Sequence, residues 1–349
     1  MLQGIVHFFQ RYVFRKLTLA ILVVAVGAFT FLSRQAKEAA TVKIDVKEII
    51  FEHLGDAYEW HVVKGFVIPL PCILYNAEQG FDVFLSDRLE GGETYHGYHI
   101  DHKSGKIVNA AGVRPIDISI TKNVSELFLA SFIVCAMVMG LAGWYKRHGY
   151  QSAPGGFLGM IETVICFVDQ DIARASIGHE YKRFSRYLIT IFFFILTCNL
   201  LGLLPVFPGG ANLTGNIAVT MVCAITAWIA TNFFAPKAYF KSIFWPDVPI
   251  ALKAFPLIPT IEFIGVFTKP FSLTIRLFAN ILAGHIIILS LTVIIFIMWQ
   301  QQLFLGGFMN VVSVAFILFM NCLELLVAFV QAYVFTMLTA NFIGLAQNE

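Results

Sequence analysis

One arginine stands in the middle of a helix-length apolar run. Arg276 follows Phe271-Ser-Leu-Thr-Ile and precedes Leu-Phe-Ala-Asn280, and the run continues through Gly284-His285-Ile-Ile-Ile-Leu. A guanidinium keeps its proton, and placing one at the centre of a bilayer costs about 3 kcal/mol on insertion scales. Arg276 is therefore expected to face protein, water or a counter-charge, which makes its surroundings a candidate functional site.

Further polar residues share one helical face with this arginine. At about 100° per residue, Lys269, Ser272, Arg276, Asn280 and Ala283 fall within an arc of roughly 80°. The small side chains on this arc allow another helix to approach closely. The face is thus predicted to meet a protein partner and not lipid.

Two more ionisable residues flank Arg276 along the same tract. His285 lies on the opposite side of the helix and roughly 13 Å farther outward, at the rise of an α-helix. Glu262 lies roughly 21 Å toward the inside, provided that the helix continues through Pro270. A proline at that position could also interrupt the helix.

The next apolar tract carries Asn321, Glu324 and Gln331. Glu324, Ala328 and Gln331 share one helical face. If the two tracts form antiparallel neighbouring helices, His285 is predicted to lie close to Glu324.

The same antiparallel arrangement would bring Arg276 close to Gln331. A histidine and a carboxyl in contact suit a proton relay, because imidazole titrates near neutral pH and burial moves a carboxyl toward that range. Each residue alone also fits a structural role. His285 and Glu324 could be satisfied core groups, Lys269 could extend to the membrane interface, and Gln331 could join two helices.

The composition is that of a membrane protein with several spans. Hydrophobic residues make up 58% of the chain, charged residues only 13%, and the mean hydropathy is +0.76. The net charge of +2 provides no basic field, so no nucleic-acid partner is expected.

No motif for catalysis, a metal or a cofactor is evident in the sequence. Five of the six cysteines lie in apolar segments, and there is no metal-type cysteine spacing, phosphate-binding glycine loop, HExxH motif or serine elbow. His96, His99 and His102 are spaced by three, which on a strand sends successive side chains to opposite faces. We interpret them as a polar surface stretch, and expect neither a cofactor nor a metal.

The N-terminal third divides into two predicted segments. Residues 1–40 combine basic residues with a short apolar core, typical of a signal peptide or an N-terminal anchor. Residues 41–122 form a polar, exported region. Alternating stretches such as Phe81-Asp-Val-Phe-Leu and Pro115-Ile-Asp-Ile predict short strands there.

Residues 123–349 are predicted to form an all-α polytopic membrane domain. The basic stretch Tyr145-Lys-Arg-His148 indicates a cytoplasmic end for the first span, so the N-terminal side lies outside and the C-terminus inside. The largely apolar segment 157–177 contains acidic residues and is interpreted as an interfacial amphipathic helix. Five spans are predicted, at about 124–144, 187–204, 216–234, 259–299 and 308–345. The last two are longer than the bilayer is thick, so they must tilt, break or project from the membrane.

The stretch Ser272-Leu-Thr-Ile-Arg276-Leu-Phe-Ala-Asn280-Ile-Leu-Ala-Gly284-His285 resembles the signature of the a subunit of F-type ATP synthases. Further elements of that family occur in the same order. The resemblance extends over roughly residues 124 to 347. The supporting elements are Asn199-Leu-Leu-Gly-Leu-Leu-Pro205, Glu262 ahead of Thr268-Lys-Pro-Phe-Ser272, and Glu324 ahead of Gln331-Ala-Tyr-Val-Phe.

This resemblance implies a non-catalytic stator subunit in a bacterial inner membrane. Such a subunit holds two offset half-channels for protons or Na⁺ against a rotating ring of c subunits, and b-type peripheral stalk subunits are further expected partners. Arg276 would face the ring carboxylates and separate the half-channels. His285 and Glu324 would line the outer half-channel and Glu262 the inner one. Asn280, Gln331, Ser272 and Lys269 complete the predicted ion path.

Three features depart from the common pattern of that family. Many bacterial members carry the glutamate and histidine of the relay in the opposite order, which suggests that His285 and Glu324 act as a pair. Gly202 stands where some members have an acidic residue. The exported region lies outside the part that resembles the family.

A secondary ion transporter with an intramembrane Arg/His/Glu site is the alternative function. That reading predicts internal repeats with paired broken helices, and the sequence shows no such duplication.

Overall fold

The computed structural model describes most of the chain beyond residue 54. The described ranges are 55–63, 66–76, 80–92, 94–101, 105–109, 112–149, 151–204, 209–211, 213–244, 257–301 and 303–348. The predicted signal or anchor segment, 1–40, lies outside them. The chain divides into two compact units: a larger one of His53–His285 with Leu323–Glu349, and a smaller one that contains Ile286–Cys322.

The described residues between 55 and 121 form a small β region, as the alternating patterns predicted. The first hairpin joins β1 (Glu59–Val63) and β2 (Phe66–Pro69). Next, β3 (Pro71–Asn76) pairs antiparallel with both β4 (Gly80–Leu85) and β7 (Ile116–Asp117). A third pair joins β5 (Tyr98–Ile100) and β6 (Ile107–Asn109).

Alternation along β3 supplies the centre of the β-region core. Cys72 and Leu74 point inward and are fully buried, together with Tyr98 and Ile107. Burial raises the pKa of the Cys72 thiol to about 12.

Hydrogen bonds attach the β region to the helices. The backbone N–H of Lys122 donates to the carbonyl of Ala57 at 2.9 Å, and the N–H of Asn123 donates to Oδ1 of Asp56 at 3.2 Å. The indole N–H of Trp60 donates to the carbonyl of Gly209 at 3.2 Å. The β region is thus held against the start of the helix that begins at Lys122 and against the loop that contains Gly209.

Seven helices follow the β region within the described residues. The third begins directly after a 3₁₀ turn at Gly178–Glu180. The helices are α1 (Lys122–His148), α2 (Gly156–Phe167, extended by a π-helix at Val168–Arg174 and a final turn at Ala175–Ile177), α3 (Tyr181–Leu203), α4 (Ile217–Phe233), α5 (Lys237–Phe244), α6 (Leu257–Gln301) and α7 (Leu303–Asn348).

A sharp reversal separates α2 from α3. Gly178 adopts a φ of 78°, which glycine tolerates best. After it, the Ser185 hydroxyl donates to the Asp169 carboxylate. In a straight helix these two residues would be about 24 Å apart, so the chain turns back at Gly178 and the π-helix packs against the first turns of α3.

Four helical runs are long and apolar enough to cross a membrane among the described residues. They are Lys122–His148, Gly156–Leu203 (which includes the reversal), Thr260–Val293 and Val314–Gln347, whereas α4 has 17 residues. The helical, multi-pass membrane class is therefore confirmed, and the count of five spans stays a prediction.

The two long tracts are single helices of 45 and 46 residues. The possible interruption at Pro270 is not realised, because α6 passes through it. Proline has no backbone N–H, so the carbonyl of Val266 loses its donor within the helix, and one turn after Pro270 the Thr274 hydroxyl donates to the Pro270 carbonyl at 2.9 Å. Side-chain hydroxyls and neighbouring helices make such a proline tolerable in membrane helices.

Residues of α3 occupy the centre of the membrane-domain core. Leu188 and Phe192 are fully buried there, and Leu277 of α6 and Phe335 of α7 pack into the same cluster. Several contacts involve fully buried alanines, which let helices approach closely without large side chains. These alanines are Ala224, Ala328, Ala332 and Ala340.

Candidate functional site

Arg276 lies on an open face of α6. Leu273, Leu277 and Ile281, at intervals of four residues, are buried against the larger unit. The neighbouring stripe of Ser272, Arg276 and Asn280 is exposed instead. Within the part of the chain that the structure describes, no acidic side chain forms an ion pair with Arg276. The helix therefore packs through one face and leaves its arginine face available.

His285 and Glu324 meet between α6 and α7, and their predicted proximity is confirmed. Nδ1 of His285 lies 3.3 Å from Oε1 of Glu324, and the two side chains are 19% and 6% exposed. This oxygen makes no aligned hydrogen bond to the described residues. The contact is thus close enough for electrostatic interaction, and direct proton transfer requires a small rotation of either side chain.

Gly284 allows the two helices to come this close. A β-carbon at this position would lie 3.0 Å from Oε1 and 3.4 Å from Cδ of Glu324. Real side chains rarely pack so tightly. The glycine therefore makes room for the carboxyl beside His285.

The end of α3 forms the third wall of this site. A β-carbon at Gly202 would lie 3.7 Å from Nε2 of His285. One turn earlier, Nδ2 of Asn199 donates to the carbonyl of Ala328 at 3.0 Å. Sequence reasoning noticed Gly202 only as a departure from a family pattern, and it assigned no role to Asn199. Only the packing of α3 against α6 and α7 places Gly202 beside His285 and Asn199 against Ala328.

The remaining predicted residues occupy different surroundings. Gln331 is buried on α7, on the same side as Glu324, and no hydrogen bond joins it to Arg276 among the described residues. Glu262 is exposed near the start of α6. Lys269 is half-buried, with Nζ 5.4 Å from the centre of the Phe342 ring, a cation–π contact with α7.

The described residues contain no candidate metal site. No group of three or more His, Cys, Asp or Glu side chains there could hold a metal ion. His96 instead contacts Asp82, with Nδ1 and Oδ1 3.3 Å apart on the surface of the β region.

The sequence was also compared with known protein families. The model of the family described as "ATP synthase A chain" matches residues 127–344, more than half of the chain. The chain belongs to this family. The family comprises the non-catalytic, ion-conducting membrane subunits of ATP synthase. A second model, of a domain of unknown function, matches residues 49–125.

Curated relatives named ATP synthase subunit a agree with this membership. The chain is 43% identical to the protein of Chloroherpeton thalassium over 66% of this chain and 67% of that protein. It is 44% identical to subunit a 2 of Chlorobaculum tepidum, over 67% and 65%. The chain thus spans about two thirds of the length of these relatives.

A relative from Anaeromyxobacter dehalogenans extends the similarity. It is 36% identical over 84% of this chain and 70% of its own length. Because the family match already ends at residue 344 of 349, most of the additional alignment must lie in the N-terminal third.

Proposed function

We propose that this chain is the stator subunit of a rotary F-type ATP synthase, in which it provides two offset half-channels for protons, or Na⁺, against a ring of c subunits. The observation that carries the proposal is the open face of Arg276, Ser272 and Asn280 beside the buried face of Leu273 and Leu277. A mid-helix guanidinium is too costly to leave in lipid. A ring of carboxylates would supply the missing counter-charge.

In this role Arg276 controls the protonation of each passing ring carboxyl. A fixed cation within a few ångströms favours the carboxylate form of an acid. The ring site must therefore release its proton before it passes Arg276. The same positive charge repels protons and separates the two half-channels.

His285 and Glu324 line the outer half-channel in this proposal. Their 3.3 Å contact and their small exposure suit a site that hands protons between two groups. Asn280 and Gln331 then lie between the pair and Arg276 along α6 and α7. Their amide groups can orient water or the ring carboxyl without adding a charge.

Glu262 serves the inner half-channel. It is exposed on α6, more than three helical turns before Arg276. Lys269 and Ser272 lie between these two residues on the same helix. Because Nζ of Lys269 contacts the Phe342 ring, we assign it to positioning α6 against α7 at the inner end of the path.

The topology has five spans, counting α4, with the β region outside and the C-terminus inside a bacterial inner membrane. The 17 residues of α4 are at the lower limit for a spanning helix. The guanidinium of Arg183 lies 4.6 Å from the centre of the Phe234 ring, and Nε2 of Gln347 donates to the Phe234 carbonyl. These contacts support a common inner side for the start of α3 and the ends of α4 and α7.

Three segments make up the chain in this proposal. Residues 1–40 are a signal or anchor, 41–122 are exported, and 123–349 form the membrane domain. The two family matches, 49–125 and 127–344, support a boundary close to residue 125. The c-ring and b-type stalk subunits are the proposed partners in the complex.

The substitution Arg276→Ala in the whole complex tests this function. In membrane vesicles, we expect ATP-driven ion pumping to be abolished while the catalytic head stays assembled and hydrolyses ATP. Arg174→Ala, at an exposed arginine on the π-helix, is the matched control and should pump normally. Normal pumping by the Arg276→Ala complex would refute the proposal.

A further inference from the structure

Glu126 is a carboxyl side chain enclosed by protein near the start of α1. Its exposure is 0%, and neither carboxyl oxygen has a hydrogen-bond partner within the described part of the chain. Lys122, one helical turn earlier, makes no ion pair with it among those residues. Nothing in the predicted ion path uses this group.

The surroundings make an ionised Glu126 unfavourable at rest. Ala130 and Val134 follow it on the buried face of α1, and Cys198 of α3 belongs to the adjoining apolar cluster. A buried carboxylate without a partner is strongly penalised. The group is therefore a neutral acid at rest, which can lose a proton only when another group or water is ready to return one.

A polar cavity lies directly before Glu126 along the chain. Its volume is about 360 Å³, enough for many water molecules. It extends to Thr121 and Val124, at the first turn of α1. Lys122 interacts electrostatically with both Asp56, on the cavity wall, and Glu126. The other polar lining residues are Lys106, Arg114, Asp117 and Ser119.

On its other side, Glu126 faces the last turns of α3. The Cys198 thiol lies within electrostatic range of the Glu126 carboxyl. Gly202 follows Cys198 by one turn on the same face, and a β-carbon there would lie 3.7 Å from Nε2 of His285. Between them Asn199 has a buried Oδ1 without a hydrogen-bond partner in the described ranges. Glu126 and His285 thus both lie along this face of α3, one near Cys198 and the other near Gly202.

We propose that Glu126 is a proton-relay carboxyl between the polar cavity and the His285–Glu324 pair. The acid form passes its proton toward Nε2 of His285, by way of water beside Asn199. The resulting carboxylate then takes a proton from hydronium in the cavity, which restores the acid. This inference rests on the proposed function, because it requires protons to cross the outer half-channel on the side of the β region. The steps above are those of proton entry, and during ATP-driven pumping they run in reverse.

Two matched pairs of variants test the relay in the whole complex. Glu126→Gln keeps the shape of the side chain but cannot titrate, whereas Glu126→Asp titrates but is shorter. We expect Glu126→Gln to lower ATP-driven proton pumping in vesicles about fivefold or more, and Glu126→Asp to retain more than Glu126→Gln. A purely structural role predicts the reverse order, since the amide is the closer mimic in shape.

Assembly is checked first by copurification of the subunit with the ring. If the Glu126→Gln complex fails to assemble, Glu126→Asp and Glu126→Asn provide the same comparison at a shorter length. Glu162→Gln, at a carboxyl bonded to the Tyr145 hydroxyl at the other end of α1, is the control expected to pump normally.

Two outcomes would overturn the relay: wild-type pumping by the amide variants, or aspartate performing no better than the amide. Arg276→Ala is measured alongside. If Arg276→Ala blocks pumping while Glu126→Gln pumps normally, the relay role of Glu126 is refuted and the proposed stator function is retained.

Discussion

Nδ1 of His285 and Oε1 of Glu324 lie 3.3 Å apart, although one residue belongs to α6 and the other to α7. The contact is buried on the Glu324 side, Gly284 gives the carboxyl its space, and Gly202 lies beside the other ring nitrogen. At this distance the protonation of one group influences the protonation of the other.

Exchanging the two residues tests whether they act as a pair. The double variant His285→Glu with Glu324→His restores both chemistries at the same contact. We expect it to pump protons faster than either single variant in vesicles that contain the whole complex. Pumping no better than that of the worse single variant would show that the order of the two residues matters more than their contact.

A methyl group at Gly284 should displace the Glu324 carboxyl. The added β-carbon would meet Oε1 at 3.0 Å, and a flexible side chain yields by rotating away. Gly284→Ala is therefore expected to slow proton pumping several-fold without loss of assembly. The matched control is Gly265→Ala on the same helix, where no atom lies within 4 Å of the added carbon. Equal pumping by both variants would contradict this account.

An acid at Gly202 should partly replace Glu324. A β-carbon there would lie 3.7 Å from Nε2 of His285, so an aspartate at 202 brings its carboxyl within hydrogen-bond reach of the ring. We expect Glu324→Gln alone to reduce proton pumping about tenfold or more, and the added Gly202→Asp to recover part of the loss. Gly202→Asn in the same background controls for size, and recovery by the amide would exclude a carboxyl effect.

The Cys72 thiol should resist alkylation in the folded protein. Burial raises its pKa from 9.0 to about 12, so at pH 8 the thiolate fraction falls about 1,000-fold, and the thiolate is the reactive form. Iodoacetamide labelling at Cys72, followed by peptide mass spectrometry, should accelerate sharply only on unfolding. Rapid labelling of the intact protein would contradict the burial of this thiol.

The raised pKa of Cys72 also predicts how the stability of the β region changes with pH. The pKa of Cys72 is higher in the folded protein than in the unfolded chain, so the neutral thiol favours folding. This contribution to the free energy of unfolding is complete below pH 9 and is lost as the pH rises toward 12. Cys72→Ala should remove this alkaline destabilisation, as measured by thermal unfolding of the intact chain at pH 8 and at pH 10.

Some contacts follow from pattern and others do not. The antiparallel neighbourhood of α6 and α7, read from two adjacent apolar tracts, was sufficient to place His285 beside Glu324. The break near Gly178 follows from the end of the predicted interfacial helix at residue 177, but the bond between Ser185 and Asp169 across it was not predicted, because local periodicity carries no information on such a contact. The continuity of α6 through Pro270 likewise depends on how neighbouring helices surround the freed carbonyl, which local periodicity does not express.

The sequence by itself determined the membrane class, the short strands, the family signature and the arginine in the middle of an apolar helix. These are properties of composition, period and order, which are local. The tertiary structure decided which face of α6 stays open, that Gly202 borders His285 while Asn199 bonds the carbonyl of Ala328, and that Glu126 is enclosed beside a polar cavity. Such relationships depend on how α1, α3, α6 and α7 pack. Packing brings together residues that are far apart in the sequence, and no local pattern indicates which of them will be in contact.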